Sequence, residues 1–232
     1  MKSVSTKKIL VIGPVLAAWA EIRVIEQSLG FIPHTLIFID PLEDFSSDEN
    51  RVDFYNKWRE KLTVLQPEYD AFIGFSLGGV ILQENLDLLT DKAVLLFSSP
   101  TFIDETLSNR LNAVIKLARE KSVFDAIREK NRYVFSPYPV PDYVINLTND
   151  KIAADRLATG LEYVLGVDSR TKLQQTPTKV MHLIGEQSQL VNRDNVVAIN
   201  NGGLVVVPNA GMRVLQNNPS YCVDAILPFL NG

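Results

Sequence analysis

The stretch Asp70-Ala71-Phe72-Ile73-Gly74-Phe75-Ser76-Leu77-Gly78-Gly79-Val80 constrains this chain more than any other. Its apolar beginning reads as a buried strand, a serine stands at the tip of a sharp turn, and a helix follows through Leu89. Gly74-Phe75-Ser76-Leu77-Gly78 fits the G-x-S-x-G nucleophile elbow, whose serine is held in a strained backbone conformation. A side chain two residues to either side of that serine would collide with a neighbouring strand or helix. Gly79 lets the helix pack close to the sheet. The bland alternative, a strand-to-helix turn with a solvated serine, fits the flanking strand and helix less well.

The rest of the chain alternates in the same rhythm. Lys8–Ile12, Thr35–Ile39, Ala71–Phe75 and Ala93–Phe97 are short apolar runs, separated by helical patterns over Ala17–Leu29 and Val52–Leu65. Such alternation predicts an α/β fold with a mainly parallel sheet and helices on both faces. Ligands of these sheets bind beyond the carboxyl ends of the strands, where Gly13, Ser76 and Ser98 fall. After Pro100 the strand pattern stops. Leu107–Lys130 reads as one helix, Tyr133–Tyr143 as a connection rich in proline and aromatics, and Lys151–Leu165 as another helix. Residues 101–170 are therefore expected to form a helical cap inserted into a core of residues 1–100 and 171–232. Strands resume at Lys179–Gly185 and Leu204–Val207, with short and closing helices expected over Asp194–Asn200 and Pro219–Leu230.

Composition excludes several functions. The 232 residues carry a net charge of −4 and no run of Lys or Arg, which speaks against nucleic acid as a partner. Ile9–Ile12 is too short for a signal-peptide core or a membrane span. The single cysteine, Cys222, cannot form an internal disulfide and sits on an apolar helical face, as core packing. These features predict a cytoplasmic protein without a membrane span. No His/Cys/Asp/Glu cluster has ligand spacing and no glycine-rich stretch has the context of a phosphate or dinucleotide loop, so neither metal nor cofactor is expected.

The order of elements resembles the α/β-hydrolase fold over nearly the whole chain. Within it the sequence is similar to small bacterial carboxylesterases and acyl-carrier-protein methyl ester esterases, with thioesterases as near relatives. Ser98-Ser99-Pro100-Thr101-Phe102, Gly160–Leu165 with Val167-Asp168-Ser169-Arg170, and Pro208-Asn209-Ala210-Gly211-Met212 carry the likeness. The resemblance implies a serine nucleophile at Ser76, with the Leu77 N–H in the oxyanion hole. It also implies a histidine after Gly211, where this chain has Met212, and an aspartate at the fourth position of Gly185-Glu186-Gln187-Ser188, where it has Ser188. A second oxyanion N–H is implied after the first strand. Aligned on Gly13, that position is Pro14, which has no N–H; shifted by one residue, it is Val15.

A serine hydroxyl needs a base within hydrogen-bond reach to become a good nucleophile. The chain has two histidines, His34 before a strand and His182 in mid-strand, and neither is placed for that work. Asp104 and Glu186 lie in loops at the carboxyl ends of strands, but read more simply as solvated carboxylates. Three functions follow, in order of preference. The first is a non-hydrolytic enzyme performing a cyclase- or lyase-type step on a hydrophobic acyl or polyketide-like small molecule, free or tethered to a carrier protein. The second is a non-catalytic small-molecule-binding or accessory protein, and the third a residual esterase or thioesterase. Pro14, Val15, Phe75, Gln187, Tyr138 and Tyr143 are the expected substrate contacts. With Met212 and Ser188 replacing imidazole and carboxylate, the wall should suit an uncharged ligand and offer a carboxylate no cationic partner.

Overall fold

The computed structural model describes residues 6–46, 48–141, 147 and 149–232. Six strands form one all-parallel sheet: β1 (Lys8–Ile12), β2 (Thr35–Ile39), β3 (Ala71–Phe75), β4 (Ala93–Phe97), β5 (Lys179–Gly185) and β6 (Gly202–Val207). Their spatial order is β2-β1-β3-β4-β5-β6. The chain starts at β1, moves outward to β2, then crosses back to β3 and runs on to β6. The order reverses between β1 and β3, the place where doubly wound sheets open a crevice beyond their carboxyl ends.

Interior strands need apolar residues on both faces, which explains why β1, β3 and β4 lack polar alternation. Successive residues separate into two cores. Leu10, Ile12, Phe72, Val94 and Leu96 pack under α2 (Arg51–Leu65), α3 (Leu77–Glu84) and the segment inserted after β4. Ile9, Val11, Ile73, Leu95, Phe97 and Leu183 pack on the other face with Cys222 and Ile226 of the closing helix, Pro219–Asn231. The Cys222 thiol is fully buried and burial pushes its pKa up to about 12, so it is a packing group and not a nucleophile.

Between β4 and β5 the described residues form helices only. These are α4 (Glu105–Glu120), α5 (Val123–Phe135), α6 (Asp150–Leu165) and α7 (Arg170–Gln175). The insertion is closed at its base, where Phe102 and Asp168 form an antiparallel bridge and the Ser169 N–H donates to the Thr101 carbonyl at 2.8 Å. It is fastened again at β2. The Arg156 guanidinium of α6 donates to both oxygens of Asp40 at 2.9 and 2.7 Å, and to the Leu42 carbonyl at 2.9 Å.

Four sequence expectations need correcting. The helix expected over 107–130 is two, because Lys121 leaves helical geometry (φ −131°, ψ −85°) and the Ser122 hydroxyl caps a new helix at the Phe124 N–H. That second helix takes in Tyr133-Val134-Phe135. The helix expected over Asp194–Asn200 shrinks to a single 3-10 turn, Arg193–Asn195, closed by reciprocal Asn192 and Asn195 hydrogen bonds; Val196 beyond it is extended and buried. Ala17–Leu29 splits into a 3-10 turn, Trp19–Ile22, and the short helix α1 (Arg23–Ser28). The elbow helix stops at Glu84, with a separate 3-10 turn over Leu86–Leu88. No described helix is long and apolar enough to cross a membrane.

Candidate functional site

Ser76 joins β3 to α3 with φ 48° and ψ −112°, a conformation that a non-glycine residue adopts only under constraint. The constraint is visible. The Ser76 N–H donates to the Phe97 carbonyl at 3.0 Å, and its carbonyl accepts from the Val80 N–H at 3.0 Å. A Cβ at Gly74 would lie 2.5 Å from the Gly79 Cα, one at Gly78 would enter the Ile12 carbonyl, and one at Gly79 would enter the Ser99 hydroxyl. Strand, turn and helix therefore approach at backbone distance, and the serine is projected beyond the sheet.

The positive-φ non-glycine residues among those described, Ser76, Ser98 and Asn209, all follow strand carboxyl ends. The Ser98 hydroxyl donates to the Met212 carbonyl at 2.8 Å, tying the loop after β4 to the loop after β6. The loop after β5 joins them through the Gln187 N–H, which donates to the Ala210 carbonyl at 2.8 Å.

A cavity of about 590 Å³ opens over these loops. Pro14, Val15, Phe75, Ser76 and Met212 are in its wall, with Leu107, Val114 and Leu161 from the insertion. Ser188 and Gln187 are not. Ser188 is buried with a hydroxyl that finds no hydrogen-bond partner among the described residues, while Gln187 faces solvent. Leu77 is fully buried beneath the serine. Tyr138 is also outside the wall: it is exposed and its hydroxyl donates to the Asn209 carbonyl. Tyr143 lies outside the described residues.

The Ser76 hydroxyl makes no hydrogen bond among the described residues, and no histidine lines the cavity. His34 sits before β2, at the amino edge of the sheet, and its Nδ1 accepts from the Lys7 N–H at 3.5 Å. His182 is fully buried, and its Nε2 accepts from the Ser99 N–H at 3.3 Å. That bond assigns the imidazole proton to Nδ1. Burial drives the His182 pKa down to about 3. The two loop carboxylates are structural: Asp104 caps α4 at the Leu107 N–H, and Glu186 accepts from the Asn209 N–H at 3.0 Å. Among the described residues no group of three His, Cys, Asp or Glu side chains could hold a metal ion.

For an oxyanion, Pro14 offers no donor and the Gly13 carbonyl is taken by the Gly78 N–H at 3.2 Å. The N–H groups of Val15 and Leu77 have no partner among the described residues. Leu77 is the first residue of α3, where the helix leaves its N–H groups open.

The sequence reading missed the charges in the wall. Arg110 of α4, Lys130 of α5 and Arg213 after β6 line the cavity together with Glu21, so the expectation of a wall without cations is corrected. Arg110 lies over the Tyr133 ring at 5.3 Å and Arg213 over the Phe135 ring at 4.3 Å. Burial pushes the Lys130 ammonium below its ordinary range, and the Glu21 charge opposes that shift. The signal was periodicity: Lys130 stands three and four residues from Ile127, Ala126 and Val134, on the apolar stripe of its helix.

No family model matches the sequence, and no curated protein matches it. Solved structures do. MGS-M2, an alpha/beta hydrolase enzyme from a Medee basin deep-sea metagenome library, aligns with TM-score 0.74 and 13% identity over 100% of this chain and 92% of that one. The 2-hydroxy-6-oxo-6-phenylhexa-2,4-dienoate hydrolase of Rhodococcus sp. strain RHA1 aligns with TM-score 0.71 and 13% identity over 99% and 92%. MenH from S. aureus aligns with TM-score 0.67 and 15% identity over 98% and 95%. Sheet order, elbow geometry and these likenesses agree on one architecture: this chain has the α/β-hydrolase fold.

Proposed function

We propose that this protein is a hydrolase-derived enzyme that does not hydrolyse, and that it performs a cyclase- or lyase-type step on a hydrophobic acyl or polyketide-like small molecule. Residues 101–170 act as the cap that closes the site. One observation carries this reading: a strained elbow serine opens onto a large, mostly apolar cavity whose wall holds Met212 and no imidazole. A thioether takes no proton at neutral pH, so the serine lacks the base that acyl transfer needs. Steps of the proposed kind depend more on orientation and exclusion of water, which a cavity of this size and lining supplies. Ser76 and the Leu77 N–H are the polar groups that would steer the substrate. The same absence of a base fits a second reading, a binding protein that uses the cavity without chemistry.

Two measurements test this. A fluorophosphonate probe should leave Ser76 unlabelled under conditions that label an ordinary serine esterase; rapid labelling would restore the esterase reading. Poly-β-ketoacyl thioesters, presented as N-acetylcysteamine esters, should yield cyclised or dehydrated products faster with the protein than without it. Binding without product formation would select the second reading, and release of free acid would select hydrolysis.

A further inference from the structure

The cavity wall has an uneven charge distribution in an acidic protein. Net charge is −4 overall, yet among the described residues Arg110, Lys130 and Arg213 line the cavity, with Glu21 as the carboxylate. One oxygen of Glu21 is already engaged, accepting from the Ala18 N–H at 3.1 Å. Low-dielectric walls focus the field of the charges that line them into the space between.

Two of the lining side chains also lack partners. Lys130 is half-buried in the wall and makes no hydrogen bond or ion pair among the described residues. Asn131, next to it on α5, is only 7% exposed and its carboxamide makes no hydrogen bond among the described residues. Both side chains line the cavity with hydrogen-bonding capacity that no protein group takes up among the described residues. The remaining wall is aliphatic, with Val15, Leu111, Val114 and Leu161 between the insertion and the sheet.

We infer that the natural ligand is an amphipathic organic anion, an apolar chain or ring system bearing one carboxylate, with the carboxylate held by Lys130 and Asn131 and the apolar body lying along the aliphatic wall toward Ser76. The inference rests on the reading of this cavity as a small-molecule site and sharpens it. The anchor sits on the cap and the serine on the core, so the anion orients the ligand by one end and presents the rest to the elbow. A bound carboxylate supplies the lysine with a charged partner and favours its charged form. Arg110 adds long-range attraction, and its stacking on the Tyr133 ring keeps the guanidinium beside the wall.

Calorimetric titration with decanoate and with 1-decanol tests this on the full-length protein, because the two probes share a chain and differ in charge. The parent should bind decanoate about tenfold more tightly than decanol, the scale of one charge-assisted contact. Lys130→Met should erase that preference and leave decanol binding in place, whereas Lys130→Arg should keep it. Circular dichroism checks that each variant is folded. Equal binding of both probes by the parent would overturn the anion site while leaving the cavity as an apolar site. Retention of the preference in Lys130→Met would overturn the assignment to Lys130. Binding of neither probe would overturn this inference and the small-molecule reading beneath it.

Discussion

The two sides of this site were built under different constraints. On one side the elbow is held by backbone: Gly74, Gly78 and Gly79 stand where any Cβ would enter a neighbouring main chain or a buried side chain. On the other, the loops after β5 and β6 carry Ser188 and Met212 on backbones tied by the Gln187 N–H to the Ala210 carbonyl and by the Ser98 hydroxyl to the Met212 carbonyl. Neither bond uses the side chain at position 188 or 212. A fold can therefore keep its elbow glycines for packing alone while acid and base positions change freely. The glycines are weak witnesses to catalysis. Ser76 is a stronger one, because a serine at φ 48° costs about 1–3 kcal/mol of strain that a glycine at that position would relieve.

Breaking the elbow side should have the largest effect. Gly78→Ala puts a methyl group into the Ile12 carbonyl, where only backbone movement can make room. It should cost more than about 4 kcal/mol in urea unfolding, or abolish folding. A loss under about 1 kcal/mol would show that helix and strand are not locked at the elbow.

The next effect concerns the histidine that this chain does possess. His182 is neutral in the fold, with its pKa depressed to about 3 by burial, against about 6.5 when unfolded. A depressed folded pKa means that the stability is fully present above the unfolded value and is lost as pH falls from about 6.5 toward 3. Between pH 7 and pH 5 this group alone should remove about 2 kcal/mol, at roughly 1.4 kcal/mol per unit. His182→Gln should flatten the pH dependence of the urea midpoint by that amount. Parallel profiles for parent and variant would place a protonated imidazole in the fold and reopen its candidacy as a base.

Strands were legible almost residue by residue, because a sheet buried on both faces demands the uninterrupted apolar runs that begin at Ile9, Ala71 and Ala93. The elbow was legible because steric need leaves a glycine signature. Helix ends in the insertion were not. Leu117, Ala118, Ala126 and Ile127 keep helical spacing through the break at Lys121–Ser122, and only the Ser122 cap betrays it. The wall was read in part. Pro14, Val15, Phe75, Ser76 and Met212 follow from motif positions, whereas Gln187 and Tyr138 face elsewhere for reasons of loop direction that spacing does not encode. Arg110 and Lys130, on the helices between β4 and β5, escape any motif anchored in the strands and the elbow.

Rebuilding the loop side sharpens the comparison. Met212→His together with Ser188→Asp should raise hydrolysis of a short-chain nitrophenyl ester by about 10²-fold over the parent, the lower range for a positioned general base. Ser188 is buried and is not among the residues of the wall, whereas Met212 is. A folded double variant with no gain would move the defect to the oxyanion hole and make Pro14 the deeper lesion. A parent already hydrolysing at ordinary esterase rates would overturn the proposed function itself.

The smallest effects are a pair of opposite origin, each about 1 kcal/mol. Ser188→Ala removes a buried hydroxyl that has no hydrogen-bond partner among the described residues, so it should leave stability unchanged or raise it by up to about 1 kcal/mol. Ser76→Gly relieves the strained turn, a gain of about 1–3 kcal/mol, against about 0.4–1 kcal/mol of added freedom in the unfolded chain. The net should be a rise of about 1 kcal/mol, read from the urea midpoint at unchanged slope. The two gains differ in their functional consequence. Ser188→Ala should leave ligand binding in the cavity untouched, since its hydroxyl is not in the wall. Ser76→Gly should slow any turnover of the natural substrate while stabilising the fold, the signature of strain kept for use. A Ser76→Gly variant that is more stable and equally active would reduce the serine to a relic of the fold, and the binding reading would then stand above the enzymatic one.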